Sequence, residues 1–234
     1  MTWLQRKNPS VVWRFRTASK VAALSIDDAP HGDGSSTEAI LDALQAHDVR
    51  ATFFIISGQV VSDKHRALLR RMVAEGHELG NHMTEDSKSV LLDDGQYWTQ
   101  LRECDRLLRE FTAGGEAVRW HRPGGGFFSK RTLRLASAMG YQTVLGGVYP
   151  HDPQISSSAL NGWYLRARTS PGSIVVIHDR EHTPATLRAA LPSLRKRLRL
   201  VSISGLQAET APPTAAEGRQ LRPATPRAGV SFLL

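Results

Sequence analysis

Acidic, imidazole and guanidinium side chains stand at the ends of apolar runs in this sequence, which is where its chemistry is to be sought. Asp27 and Asp28 follow VAALSI (21–26), and His82 and Asp86 follow HELGN (77–81). Arg122 follows a short run at 118–121, and His178 and Asp179 follow IVVI (174–177). Each of these groups can bind a metal, move a proton or neutralise charge. Two adjacent carboxylates leaving a buried strand are costly unless positive partners receive them. On an extended segment they project to opposite sides, so one is expected to bind a cation while the other meets Arg122. His82 and Asp86 are four apart and would share one face of a helical turn. With Asp28 they would offer two oxygens and one nitrogen to a divalent ion, leaving positions open for water and substrate. The plainer alternatives are acidic residues placed before a turn and a hydrogen-bonded structural histidine.

The elements that must position these groups alternate between apolar runs and amphipathic segments from Val21 to Gly205. Strands are expected at 21–26, 51–56, 77–82, 118–121, 141–145, 174–177 and 201–203. Between them, Ile40, Leu41 and Leu44 share a helical face, with Ser36 or Thr37 as N-cap. Leu68, Leu69, Met72 and Val73 line a helix that stops at Gly76. Tyr97, Leu101, Cys104, Leu108 and Phe111 form a third stripe, which makes Cys104 a small buried hydrophobe rather than a reactive thiol. Further helices surround Leu133 and Leu135, Leu160 to Leu165, and Leu187 to Leu198, the last bent at Pro192. Repeated strand–helix units with apolar strands imply an α/β fold: a parallel sheet covered by helices, open or closed into a barrel. A barrel would bring the strand ends to one rim. Residues 1–20 read as a basic segment packing on the barrel, 21–206 as the domain, and 207–234 as a flexible Ala/Pro-rich tail.

Composition narrows the function classes. The 234 residues are 41% hydrophobic and 22% charged, with one cysteine, which excludes a wholly disordered chain and a disulfide scaffold. The net charge of +8 is concentrated at Arg6, Lys7, Arg14, Arg16 and Lys20 and at Arg188, Arg195, Lys196, Arg197 and Arg199. Only 7% of residues are aromatic, and no aromatic ladder interleaves the basic ones, so nucleic acid is not an expected partner. No apolar run is long enough to span a membrane, and the first residues lack a signal-peptide pattern, so a cytoplasmic location is the default expectation.

The ordered set SIDDAP (25–30), GHELGNHMTED (76–86), RPGGG (122–126), YPHDP (149–153) and IVVIHD (174–179) resembles the polysaccharide deacetylases, the carbohydrate esterases of family 4 that share the NodB homology domain. The resemblance covers about Val21 to Leu206. It implies a distorted (β/α) barrel with a groove across its top and removal of N-acetyl groups from a chitin-like or peptidoglycan-like polymer or oligomer. It further implies Asp27 as catalytic base, Arg122 as the residue orienting it, His178 as catalytic acid and Asp152 as the acid behind that histidine. Asp28 and His82 match metal ligands. Asp86 stands where the commoner pattern has a second histidine; its carboxylate hardens the site, so zinc, which tolerates Asp oxygen, remains the expected ion while manganese, cobalt or iron become more credible. Pro123 and Gly125 fall in the substrate-binding stretch, with the Gly125 amide facing the oxyanion. The aromatic residue usual after the prolines of that motif is absent. The run Gly124–Gly126 is therefore expected to widen the groove and remove a side wall, or to be simply a flexible loop. Two other readings follow from these departures: hydrolysis of a cyclic imide, ureide or formamide on the same barrel, and a carbohydrate-binding relic without turnover.

Overall fold

Seven apolar runs pair as parallel strands, and helices fold back between them. The computed structural model describes residues 7–115 and 119–210. The chain runs β1 (Val21–Ala29), α1 (Ser35–Gln45), β2 (Thr52–Ile55), α2 (Asp63–Ala74), β3 (Glu78–Asn81), α3 (Asp94–Arg109), β4 (Trp120–His121), α4 (Lys130–Ala138), β5 (Gln142–Thr143), α5 (Ser158–Arg168), β6 (Ile174–His178), α6 (Thr183–Arg195), β7 (Arg199–Val201) and α7 (Ile203–Ala208). The strand order is β5-β4-β3-β2-β1-β6, with β7 also paired to β1. Irregular bridges join the two ends of the sheet: Val148 pairs with Val175, Val12 with Val144 and Arg14 with Ser173. The result is the distorted (β/α) barrel that the family resemblance implied, one of the two forms, open sheet or barrel, that the alternation allowed.

Period-two alternation divides the apolar side chains into two cores. Ala22, Leu24, Ile26, Phe53 and Ile55 face outward, under Ile40, Leu41, Leu69, Met72, Leu101 and Leu191 of the helices. Val21, Ala23, Phe54, Trp120, Val144 and Ile174 fill the barrel interior. Fully burying a Phe or Ile of this kind stabilises the fold by roughly 1.5–3 kcal/mol. Continued upward, the interior rows pass from Val21 and Ala23 to Ser25 and Asp27, from Trp120 to Arg122, and from Ile174 and Val176 to His178. These three rows begin apolar at the bottom and end in a charged or titratable group at the top.

Helix ends follow local chemistry. The Ser62 side chain accepts from the His65 amide, and capping boxes open α3 (Asp93 with Gln96) and α4 (Ser129 with Thr132). The expected cap of α1 is not used. Gly34 occupies the N-cap, while Ser36 and Thr37 donate their hydroxyls to the buried carboxylate of Asp179, which also accepts from the His31 amide. The last strand shifts as well: β7 comprises Arg199–Val201, and Ile203 already opens α7. Leu198 lies beyond α6, whose interior contains Pro192. Cys104 is fully buried, and its burial pushes the thiol up to about 12. Val118, residues 1–6 and the tail from 211 onward lie outside the described residues.

Candidate active site

Asp27 and Asp28 diverge from regular strand geometry. The register between β1 and β2 slips between Ile26 and Ala29, and Asp28 takes a φ of 65°. That kink corrects the expectation of carboxylates on opposite sides: both are buried, and both line one cleft of about 510 Å³. Their partners do differ. Asp27 pairs with Arg122. Asp28 Oδ1 lies 3.3 Å from His82 Nε2, and its Oδ2 accepts from Arg180 Nη2 at 2.7 Å. Burial opposes the charged form of Asp28, but the His82 hydrogen bond and the charges of His82, His178 and Arg180 outweigh it and hold this carboxyl far below its ordinary value.

Arg122 works through both ends. Its Nη1 reaches Asp27 and, at 2.9 Å, Ser25 Oγ, its Nε donates to the Val144 carbonyl, and its guanidinium lies 4.0 Å over the Phe54 ring. Its own carbonyl faces His82 Nδ1 at 2.6 Å. A carbonyl can only accept, so Nδ1 carries the proton, and His82 Nε2 turns toward the Asp28 carboxylate. Two buried acceptors facing each other at 3.3 Å require a proton or a cation between them. Burial disfavours the imidazolium, yet the hydrogen bond to Asp28 and the charges of Asp27 and Asp28 move His82 upward overall. The pair therefore fits a divalent cation by its donor chemistry.

Asp86 does not join them. The segment after His82 is an irregular loop rather than a helical turn, with Met83 at φ 68°. Asp86 is exposed on this loop, at the lip of the same cleft. Among the described residues, no group of three His, Cys, Asp or Glu side chains is arranged to hold a metal.

His178 faces Asp27 across the β1–β6 pairing. Asp152, itself buried, grips it twice: Oδ2 accepts from the His178 amide at 2.7 Å, and Oδ1 lies 3.0 Å from Nδ1. Burial alone would depress the imidazole. The Asp152 hydrogen bond, with the charges of Asp27, Asp152 and Asp28, reverses this and raises it above 6.5. Tyr149 packs beside this ring at 5.6 Å.

The glycine run is a close-approach device. A Cβ at Gly124 would meet the Ser87 carbonyl oxygen at 2.0 Å, and Gly125 holds a φ of 64°. Gly124→Ala is expected to push away the loop that carries Asp86, costing about 1–3 kcal/mol in denaturant melts and most of the activity. Pro123, Gly125 and Gly126 line the cleft, but the wall expected to be missing is present: Phe127, Trp13 and Tyr149 supply it. Sequence reasoning missed these three and Arg180. Arg180 sits one residue beyond the HD of β6, a findable position, whereas nothing periodic distinguishes Trp13. A larger hollow, about 780 Å³, lies on the outer face of α3 among Trp98, Arg102 and Arg106 and holds none of these groups.

The strand ends of this parallel barrel deliver a carboxylate–guanidinium pair, a carboxylate–imidazole pair and a second imidazole to one cleft. The chain belongs to the polysaccharide deacetylase family, which matches residues 15–144. It is 30% identical over 206 residues to a peptidoglycan-N-acetylglucosamine deacetylase of Bacillus cereus, covering 84% of this chain and 92% of that one. Over 198 residues it is 30% identical to a chitooligosaccharide deacetylase of Sinorhizobium fredii, covering 79% and 90%. Among solved structures, a mutant with restored activity of a Bacillus anthracis family 4 pseudoenzyme superposes with a TM-score of 0.78 at 25% identity, over 87% of this chain and 73% of that one. The protein is thus a hydrolase of carbon–nitrogen bonds other than peptide bonds. No helix among the described residues is long and apolar enough to cross a membrane.

Proposed function

We propose that the protein removes N-acetyl groups from an acetylated oligo- or polysaccharide of the chitin or peptidoglycan kind. One observation carries the reading. Asp27 and His178 are register partners on adjacent strands, and each is backed by its own counter-group, Arg122 and Asp152 respectively. In this reading Asp27 accepts the proton of the attacking water, and Arg122 supplies the positive charge that keeps the carboxylate in place. His178, its Nδ1 held by Asp152, protonates the departing amine. The amide of Gly125 stabilises the developing oxyanion. His82 and Asp28 would hold one divalent cation, zinc by their mixed nitrogen and oxygen character, and when bound it would polarise the acetamide carbonyl.

Acetate release from N-acetylglucosamine oligomers tests the reaction. For the metal, zinc titration of the apoprotein should show His82→Ala binding at least about a hundredfold more weakly. Asp86→Ala should lose about tenfold or less, because Asp86 stands off from the pair. Equal losses would make Asp86 a full ligand that swings inward. The position of Asp86 also favours a second reading, a carbohydrate-binding protein without turnover, which predicts oligosaccharide binding with no acetate. The alternative of a small cyclic amide loses its motive, since the aromatic wall is present.

A further inference from the structure

We propose that Trp13, from the segment ahead of β1, is a stacking platform for a pyranose ring of the substrate and so sets affinity for oligomers over single sugars. The inference rests on the glycan reading above. Trp13 lines the cleft together with Asp27, Asp28 and His178, yet it lies just outside residues 15–144, where the family matches.

Its backbone is pinned on both sides. Val12 bridges to Val144, exchanging hydrogen bonds with Thr143 and Leu145 at 2.9 Å, and Arg14 bridges to Ser173 and donates to the Pro171 carbonyl. Trp13 therefore stands on the seam where the β5 and β6 ends of the sheet meet, beside Leu145, Gly146 and Val176 of the cleft. A ring held this way is ordered before any ligand arrives, so little conformational entropy is lost on binding.

The ring itself is suited to a sugar. Its neighbour Phe128 meets it edge-on, with centroids 6.4 Å apart and planes at 67°. By contrast, Lys88 Nζ already lies 5.4 Å over the ring of Phe127, another aromatic of the wall. The indole Nε1 is buried and finds no acceptor among the described residues, so packing alone holds the ring. A pyranose offers an apolar C–H face that can lie against the indole plane. Deep, mainly apolar walls with few polar groups are the usual form of such sites.

The test uses the full chain. Trp13→Leu keeps apolar bulk against Phe128 and removes the aromatic face, while Trp13→Phe keeps a face. In an Asp27→Asn background, calorimetric titration with the N-acetylglucosamine tetramer should show Trp13→Leu binding about tenfold more weakly and Trp13→Phe recovering most of that loss. In the active protein, Trp13→Leu should raise KM for the tetramer by a similar factor with kcat within about threefold. Equal affinity of the Leu and Trp proteins, or a loss confined to kcat, overturns the stacking role even if acetate is released. Trp13-dependent binding with no acetate from any oligomer supports the platform and overturns the deacetylase reading instead.

Discussion

Asp27→Asn is expected to lower kcat for acetate release by about 10²–10⁴-fold while zinc binding stays nearly unchanged. The magnitude follows from the work proposed for this carboxylate. It is the one acidic group in register with His178, and an amide cannot accept the proton of water. The same substitution should be visible in stability. Arg122 and Asp27 are both buried, and removing the charge of one partner leaves the other uncompensated, a loss of about 3–5 kcal/mol when the pair is broken outright. Asn can still accept from Arg122, and Ser25 Oγ and the Val144 carbonyl remain, so the measured loss should fall below that range. The double variant Asp27→Asn/Arg122→Met should then be more stable than Asp27→Asn alone, because the orphaned charge is gone. Retention of more than about a tenth of wild-type turnover by Asp27→Asn would remove this residue from the mechanism.

Most of that arrangement could be read from period two alone. Val21, Ala23, Ser25 and Asp27 alternate along one run, and Ile174, Val176 and His178 along another, so a barrel necessarily turns Asp27 and His178 toward the same interior rim. Arg122 follows from Trp120 by the same step. What alternation could not show is every place where the backbone leaves the regular strand. The kink at Asp28 brings two carboxylates into one cleft, and an ideal strand would have separated them. The loop after His82 breaks the four-residue spacing that suggested a shared helical face with Asp86. Ser36 and Thr37 look like helix caps in sequence, yet they serve Asp179, 142 or more residues away, because a buried carboxylate competes for their hydroxyls more strongly than free helix amides do. Trp13 reaches the cleft through two isolated bridges, a long-range pairing that leaves no periodic trace.

Asp152→Asn should move the alkaline limb of the pH–kcat profile to lower pH and cut kcat by about 10²–10⁴-fold at neutral pH. A proton donor acts only while it holds its proton. Burial by itself would discharge His178, and the hydrogen bond to Asp152 together with the charges of Asp27, Asp152 and Asp28 lifts it above 6.5 instead. Activity of the wild type should therefore persist above that pH and fall as pH rises through the lifted value. Asn removes a charge and also the one-way hydrogen bond, since its amide can face Nδ1 as donor or as acceptor, so both tautomers become accessible. The deficit should shrink as pH is lowered, where even a weakened imidazole is charged. Linkage gives an independent measurement. A group raised in the folded state contributes stability that is complete below its unfolded value, near 6.5, and is lost as pH rises through the folded value. Denaturant melts of Asp152→Asn should accordingly show a larger loss at pH 6 than at pH 9, by about 1.4 kcal/mol for each unit by which Asp152 had raised the imidazole. An alkaline limb left in place, with equal stability losses at both pH values, would show that His178 is not the acid and that Asp152 only braces the loop that carries it.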